Sequence, residues 1–265
     1  MHTLLAVAPA LINKIILAGW AMSVMLGLSP LPKQGNRWQE DQTVAERRHA
    51  PETAADKLTR FRSIATDLVE VISEDGALPG MTKRQSMSVM LSIMSYESSF
   101  FRDVDLGQGR GVGDQGRSWC LMQLQVNEST APVLENGKRD FGGGTIMIKH
   151  DVMGKWTGRD LVQDRKKCLR AGRAVLVRAM AECHDQKASD KLSAYATGSC
   201  KNNEPKSASR WDRSILIMKK RVPKLDEALK LLGREGESVE EPPPAEPAKP
   251  ATPPETTPER LTRAG

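Results

Sequence analysis

"TKRQSMSVMLSIMSYESSF", residues 82–100, carries one acidic side chain, Glu97, at the end of an otherwise apolar and hydroxyl-bearing run. Thr82 and Gln85 have the threonine-x-x-glutamine spacing of a capping box, so a helix starts here. Val89, Met90, Ile93 and Met94 recur at three- and four-residue steps and form its apolar stripe. Glu97 follows Met94 by three residues, Ile93 by four and Met90 by seven, so it shares their face. It also falls in the last turns, where the helix macrodipole disfavours negative charge. Both effects push a carboxylate towards its protonated form, the state a general acid needs at neutral pH. The plainer alternative is a helix-end glutamate that turns out to solvent.

Working outward, residues from Glu52 read as a preceding helix. Leu58, Phe61, Ile64, Ala65, Leu68, Val71 and Ile72 supply its buried side and Gly76 its stop. Beyond Glu97, Gly111, Gly113 and Gly116 match G-x-G-x-x-G, but they follow a helix and precede "CLMQLQV", which alternates like a short strand. A dinucleotide site needs the reverse order, so a Rossmann fold is excluded and the glycines read as a loop beside Glu97. Residues 157–184 return to helical spacing, with Thr157 as cap and Leu161, Cys168, Leu169, Gly172, Val175, Leu176, Ala179 and Met180 inward. A short helix is expected over Asp190–Tyr195. Ser209–Leu232 is basic and amphipathic, interrupted at Pro223; it closes the domain or lies on a membrane surface.

The flanks differ in kind. Residues 1–32 are apolar apart from Asn13 and Lys14, and Ile15–Leu28 is a run of about 14 residues, the length of a signal-peptide core. A signal peptide or membrane anchor is the favoured reading, with membrane contact through residues 4–28; a buried helix or a membrane-active segment is the alternative. Residues 33–52 read as a polar linker. Residues 234–265, rich in proline and lacking apolar periodicity, read as a disordered tail. That leaves residues 53–233, about 180 residues, as one mainly α-helical domain with a single core. The formal net charge is +6; the tail carries −3 and the remainder +9. A basic body suits an anionic polymer. Basic–aromatic interleaving and zinc-finger spacing are both lacking, so no nucleic acid partner is expected.

Four short motifs together resemble the soluble lytic transglycosylases, relatives of goose-type lysozyme. "ESSF" (97–100) resembles the family's helix-end glutamate motif, and "CLMQL" (120–124) its glycine-leucine-methionine-glutamine motif. "CLRAGRAVL" (168–176) is similar to its asparagine-isoleucine-x-x-glycine-x-x-tyrosine-leucine helix, and "AYATG" (194–198) to its alanine-tyrosine-asparagine-alanine-glycine motif. They occur in the family's order. The resemblance implies a lysozyme-like α-helical domain with a small β element and a cleft for peptidoglycan glycan strands. Glu97 would protonate the bond between N-acetylmuramic acid and N-acetylglucosamine, then act as base towards the muramyl 6-hydroxyl or water. Ser98, Met122 and Gln123 would line the cleft, with Tyr195 across it. Cys120 stands where the family motif has glycine, Cys168 where it has asparagine, and Ala196 where an asparagine follows the tyrosine. Transglycosylation manages with one carboxylate because the substrate's N-acetyl group assists. Hydrolysis normally needs a second, about 5–5.5 Å away for retention or about 6.5–9.5 Å for inversion. Asp103, Asp105 and Asp114 are the candidates.

Four cysteines allow three pairings. If one helix carries both Cys168 and Cys183, these lie about 22 Å apart and cannot bond. The resemblance brings Cys120 to Cys168 and leaves Cys183 with Cys200; four reduced thiols remain the alternative. Disulfides would agree with export to a bacterial envelope, as a periplasmic, anchored or secreted protein, or with a phage virion or lysis protein. His2, His49, His150 and His184 lack ligand spacing, so neither a metal nor any other cofactor is expected. The competing function is a non-catalytic wall-binding or virion structural protein that keeps the fold.

Overall fold

Thr53 starts the first long helix of the body, its hydroxyl accepting from the Asp56 N–H, and Gly76 ends it at φ +80°. These observations come from a computed structural model describing residues 9–32, 49, 51–109, 112–184, 192, 194–195, 198–200, 212–217 and 219. The helices are α1 (Pro9–Leu28), α2 (Ala54–Asp75), α3 (Lys83–Ser98), α4 (Arg102–Asp105), α5 (Gly158–Gln163) and α6 (Arg165–Glu182). A two-stranded antiparallel sheet, β1 (Ser118–Trp119) and β2 (Leu124–Gln125), pairs Ser118 with Gln125 and Trp119 with Leu124. The molecule is mainly helical, with this small sheet and an apolar N-terminal helix.

The Thr82–Gln85 capping box forms as expected: Gln85 N–H donates to the Thr82 hydroxyl and Thr82 N–H to the Gln85 side chain. The single apolar stripe does not describe α3 fully, because residues 86–95 are buried all round. Serines make this tolerable. Ser86 and Ser88 donate to the carbonyls of Thr82 and Arg84, and Ser86 also accepts from Leu78 N–H. A buried hydroxyl with its hydrogen bonds made carries little desolvation cost. α3 is therefore the central helix, covered by α1 and α2.

α1 packs on the body of the molecule. Ala21, Val24 and Met25 are at most 1% exposed, and Leu17 and Trp20 are buried beside them, against α2 and α3. Lys57 Nζ donates to Ser29 Oγ and Pro30 O at the end of α1. Leu11 and Ile15 on the outer side remain exposed, and Leu11–Leu28 is long and apolar enough to cross a membrane. A helix apolar all round gives the same sequence pattern whether it is a leader or a core element. The end of the proposed linker is also tied down, with Glu52 bonded to Arg60 and His49 to Asp103.

Residues 157–184 form two helices, not one. The Thr157–Asp160 capping box opens α5, and Asp164 (φ −129°, ψ 98°) breaks the chain and caps α6 by accepting from Lys166 N–H. Two disulfides join the elements: Cys120–Cys168, with Cα atoms 6.2 Å apart, and Cys183–Cys200, at 5.4 Å. Of the helix expected over Asp190–Tyr195, only 194–195 are described as helical, and of the segment 209–232 only 212–217 and 219 are described. The tail at 234–265 and most of the linker lie outside the described residues.

Cys120–Cys168 closes a loop of 48 residues. Replacing both cysteines by alanine is expected to cost about 4 kcal/mol on the chain-entropy relation, read as a lowered urea midpoint.

Candidate active site

α3 ends at Ser99 and Phe100, both in the left-handed region at φ 47° and 56°. The resulting turn leaves Glu97 half-buried on a cleft of about 1020 Å³. Asp114, Gln123 and Tyr195 line the same cleft. The structure thus brings together four of the residues singled out in the sequence.

The turn between β1 and β2 holds Gln123. Cys120 and Gln123 both have positive φ, 61° and 48°, which costs a non-glycine residue of order 1–3 kcal/mol each. Several bonds offset that strain. The Cys120–Cys168 disulfide anchors one side of the turn to α6. Gln123 donates to Cys120 O from both its backbone and its side chain, at 2.9 and 3.0 Å. Tyr195 OH donates to Met122 O at 2.6 Å. The positive φ at residue 120 supplies a physical reason for glycine in the resembled motif; here the disulfide holds a cysteine in that conformation. Gly113 lies against the same side chain: a Cβ there would stand 2.3 Å from Gln123 Oε1 and would push that amide aside.

Two expected cleft residues lie beneath it instead. Met122 is fully buried and packs on Gly172 of α6. Ser98 is 4% exposed; its hydroxyl donates to Met94 O and accepts from Phe100 N–H, so it shapes the helix end. An alanine Cβ at residue 172 would sit 2.7 Å from Met122 Cγ and 2.6 Å from its Cε. Gly172→Ala is therefore expected to destabilise by about 1–2 kcal/mol, overpacking exceeding the gain in helix propensity. A denaturant midpoint that rises would contradict this packing.

Of the three candidate second carboxylates, only Asp114 lines the cleft, where it accepts a hydrogen bond from Ser118 Oγ. Asp103 and Asp105 are buried and bonded to basic side chains. Asp103 faces His49 at 2.8 Å, and the His49 ring stacks on Phe101. Asp105 takes a bidentate bond from Arg165, which also reaches Asp67 and Ser63. Burial alone would lower the Arg165 pKa, but its bonds to Asp105 and Asp67 outweigh that and hold it above its ordinary value. Asp105 joins α4 to Arg60 of α2 and Arg165 of α6, and Asp103 joins it to the segment before α2; neither lines the cleft.

The remaining walls had little sequence signal. Met147, Ile148, Lys149, His150 and Met153 line the cleft from an irregular segment, where no periodicity marks a face. Arg173, Ala174, Val177, Arg178, Ala181 and Glu182 line it from α6. The small residues among them, which do not fit the inward stripe of that helix, were the available clue. Arg173 donates to the carbonyls of Gly76 and Ala77, and burial lowers its pKa against the opposing charge of Asp75. Arg178 pairs with Glu182 one turn on. Among the described residues no group of three or more potential ligands could hold a metal ion.

Comparison of the chain with protein-family models, with curated proteins and with solved structures gives no match.

Proposed function

We propose that the protein cleaves peptidoglycan glycan strands by acid–base chemistry at Glu97, on a lysozyme-like domain. The observation that supports this most is the meeting of Glu97, Asp114, Gln123 and Tyr195 on one large cleft, from segments scattered over about 100 residues of chain. A volume of about 1020 Å³ takes several sugar rings. Glu97 donates its proton to the glycosidic oxygen as the bond to the muramyl C1 breaks. The carboxylate left behind then removes a proton from the attacking hydroxyl. If that hydroxyl is the muramyl C6–OH, the product is an anhydro sugar; if it is water, the product is a reducing end.

Tyr195 and the disulfide fix the turn that presents Gln123, which offers an amide to the sugar's acetamido group or hydroxyls. Asp114 is the second carboxylate available for the hydrolytic route. An apolar N-terminal helix and two disulfides suit an exported protein; the bacterial envelope, or a phage acting on it, is the compartment this reading requires.

Clearing of a suspension of purified cell walls tests the proposal, and mass spectrometry of the fragments separates anhydro products from reducing ends by one water. Walls that bind the protein without releasing fragments would indicate the non-catalytic alternative. Strongly salt-dependent binding to DNA with no action on walls would indicate a nucleic acid partner instead.

A further inference from the structure

The turn that presents Gln123, residues 120–123, is reached by two tethers from elsewhere among the described residues. One is the Cys120–Cys168 disulfide and the other the hydrogen bond from Tyr195 OH to Met122 O. They are built differently. Cys120 and Cys168 are at most 1% exposed and belong to the main core. Tyr195 belongs to the chain that runs on from α6, and Cys183–Cys200, 17 residues apart, clamps that chain at both ends. Ala179, Cys183 and Ala194 form a separate small cluster there, with Tyr195 and Cys200 packed against it; Leu192 and Tyr195 also reach the main core. Alanine side chains bury little apolar area, so the disulfide supplies much of what keeps the segment in place. Cys200 is half-buried, which opens this bond to a thiol reagent before the fully buried one.

Resting on the cleft assignment above, we infer that Cys183–Cys200 is a redox latch on the cleft. Closed, it positions Tyr195 and, through Met122 O, the Gln123 turn; opened, it releases both without unfolding the core. One thiolate of a dithiol reductant attacks Cys200 Sγ, and Cys183 leaves as its thiolate. The second thiol of the reductant then displaces Cys200, so both cysteines end as thiols and the reductant as its disulfide. A disulfide oxidant reverses the exchange. The positive φ at Cys120 and Gln123 gives the turn a reason to relax once Tyr195 withdraws. Ala194, Tyr195 and Gly198 line the cleft, so the same opening loosens its wall. A chain made among thiols therefore completes its cleft only in an oxidising compartment.

The test treats full-length Glu97→Gln protein with graded dithiothreitol, and alkylation with mass spectrometry records which cysteines open. Cys183 and Cys200 are expected to label at least about tenfold faster than Cys120 and Cys168. Where only that pair is open, amide hydrogen exchange at residues 121–124 is expected to rise about tenfold. Affinity for soluble glycan strands should fall while the melting transition remains, and re-oxidation should reverse both changes. The double substitution Cys183→Ser, Cys200→Ser should show the same fast exchange with no response to reductant. Tyr195→Phe should show it with both disulfides intact, which a merely structural bond would not predict. Overturning results are Cys120–Cys168 opening first, exchange unmoved by opening the pair or by Tyr195→Phe, strands bound equally by open and closed protein, or loss of the whole melting transition when the pair opens. If exchange responds as expected but the closed protein binds no strands and the Glu97 enzyme cuts none, the latch stands and the catalytic reading falls.

Discussion

Glu97→Gln is expected to stop the release of glycan fragments from purified walls. The amide keeps the size and most of the hydrogen-bonding shape of the acid, yet it has no acidic proton to give and no carboxylate to receive one. General acid–base catalysis contributes about 10²–10⁴-fold, and in the proposed mechanism a single side chain would serve in both directions, so the loss belongs at the upper end. Stability should move far less. Glu97 lies in the last turn of α3, a turn with no basic residue to offset its charge against the helix dipole. Removing a negative charge there is expected to change stability by no more than about 1 kcal/mol, and in the favourable direction. The pair of measurements matters more than either alone. Loss of activity together with a collapsed melting temperature would show only that the helix end had unravelled. Full activity in a well-folded variant would remove Glu97 from the chemistry and the glycosidase reading with it.

How far residues could be read before the fold was known depended on whether their partners were local. The capping box at Thr82 and Gln85, the Thr53 start and the Gly76 stop are decided within a few residues, and each occurs as its spacing dictates. Glu97 was legible because helical periodicity fixed its face. Asp103 and Asp105 were not: their fates depend on His49 and on Arg165, 54 and 60 residues away, and nothing in "RDVD" announces either partner. Ser98 illustrates a different failure. A hydroxyl next to the catalytic candidate looks like a substrate ligand, but a serine at a helix end can as readily bond its own backbone, and this one does. Met122 belongs to the same turn as Gln123, and the two positive-φ residues send one side chain inward to Gly172 and the other to the cleft. The split of residues 157–184 was written in the sequence all along: Asp164 stands at a cap position, seven residues after Thr157 had opened a helix with its own box.

Deleting residues 1–32 is expected to leave a protein that does not fold stably. Burying a large apolar side chain is worth about 1.5–3 kcal/mol, so Leu17, Trp20, Val24 and Met25 together represent about 6–12 kcal/mol. Whole domains have a net stability of about 5–15 kcal/mol. Area-based values are upper bounds, but even half of this sum would take most of the margin. The truncation would also uncover the faces of α2 and α3 on which α1 packs, inviting aggregation. Point substitutions separate packing from mere chain length. Met25→Ala, at a site with no exposure, should cost about 2–5 kcal/mol in a denaturant titration. Ile15→Ser, on the same helix but 60% exposed, should change stability by no more than about 0.5 kcal/mol. If the truncated protein instead melts at the temperature of the full chain, α1 is a detachable leader whose contacts with the body contribute nothing. The contrast has a direct consequence in the cell. If the truncated protein fails to fold, a helix that supplies a wall of the core would not be removed by processing without unfolding the cleft, and the mature protein should retain it with Leu11 and Ile15 still facing outward.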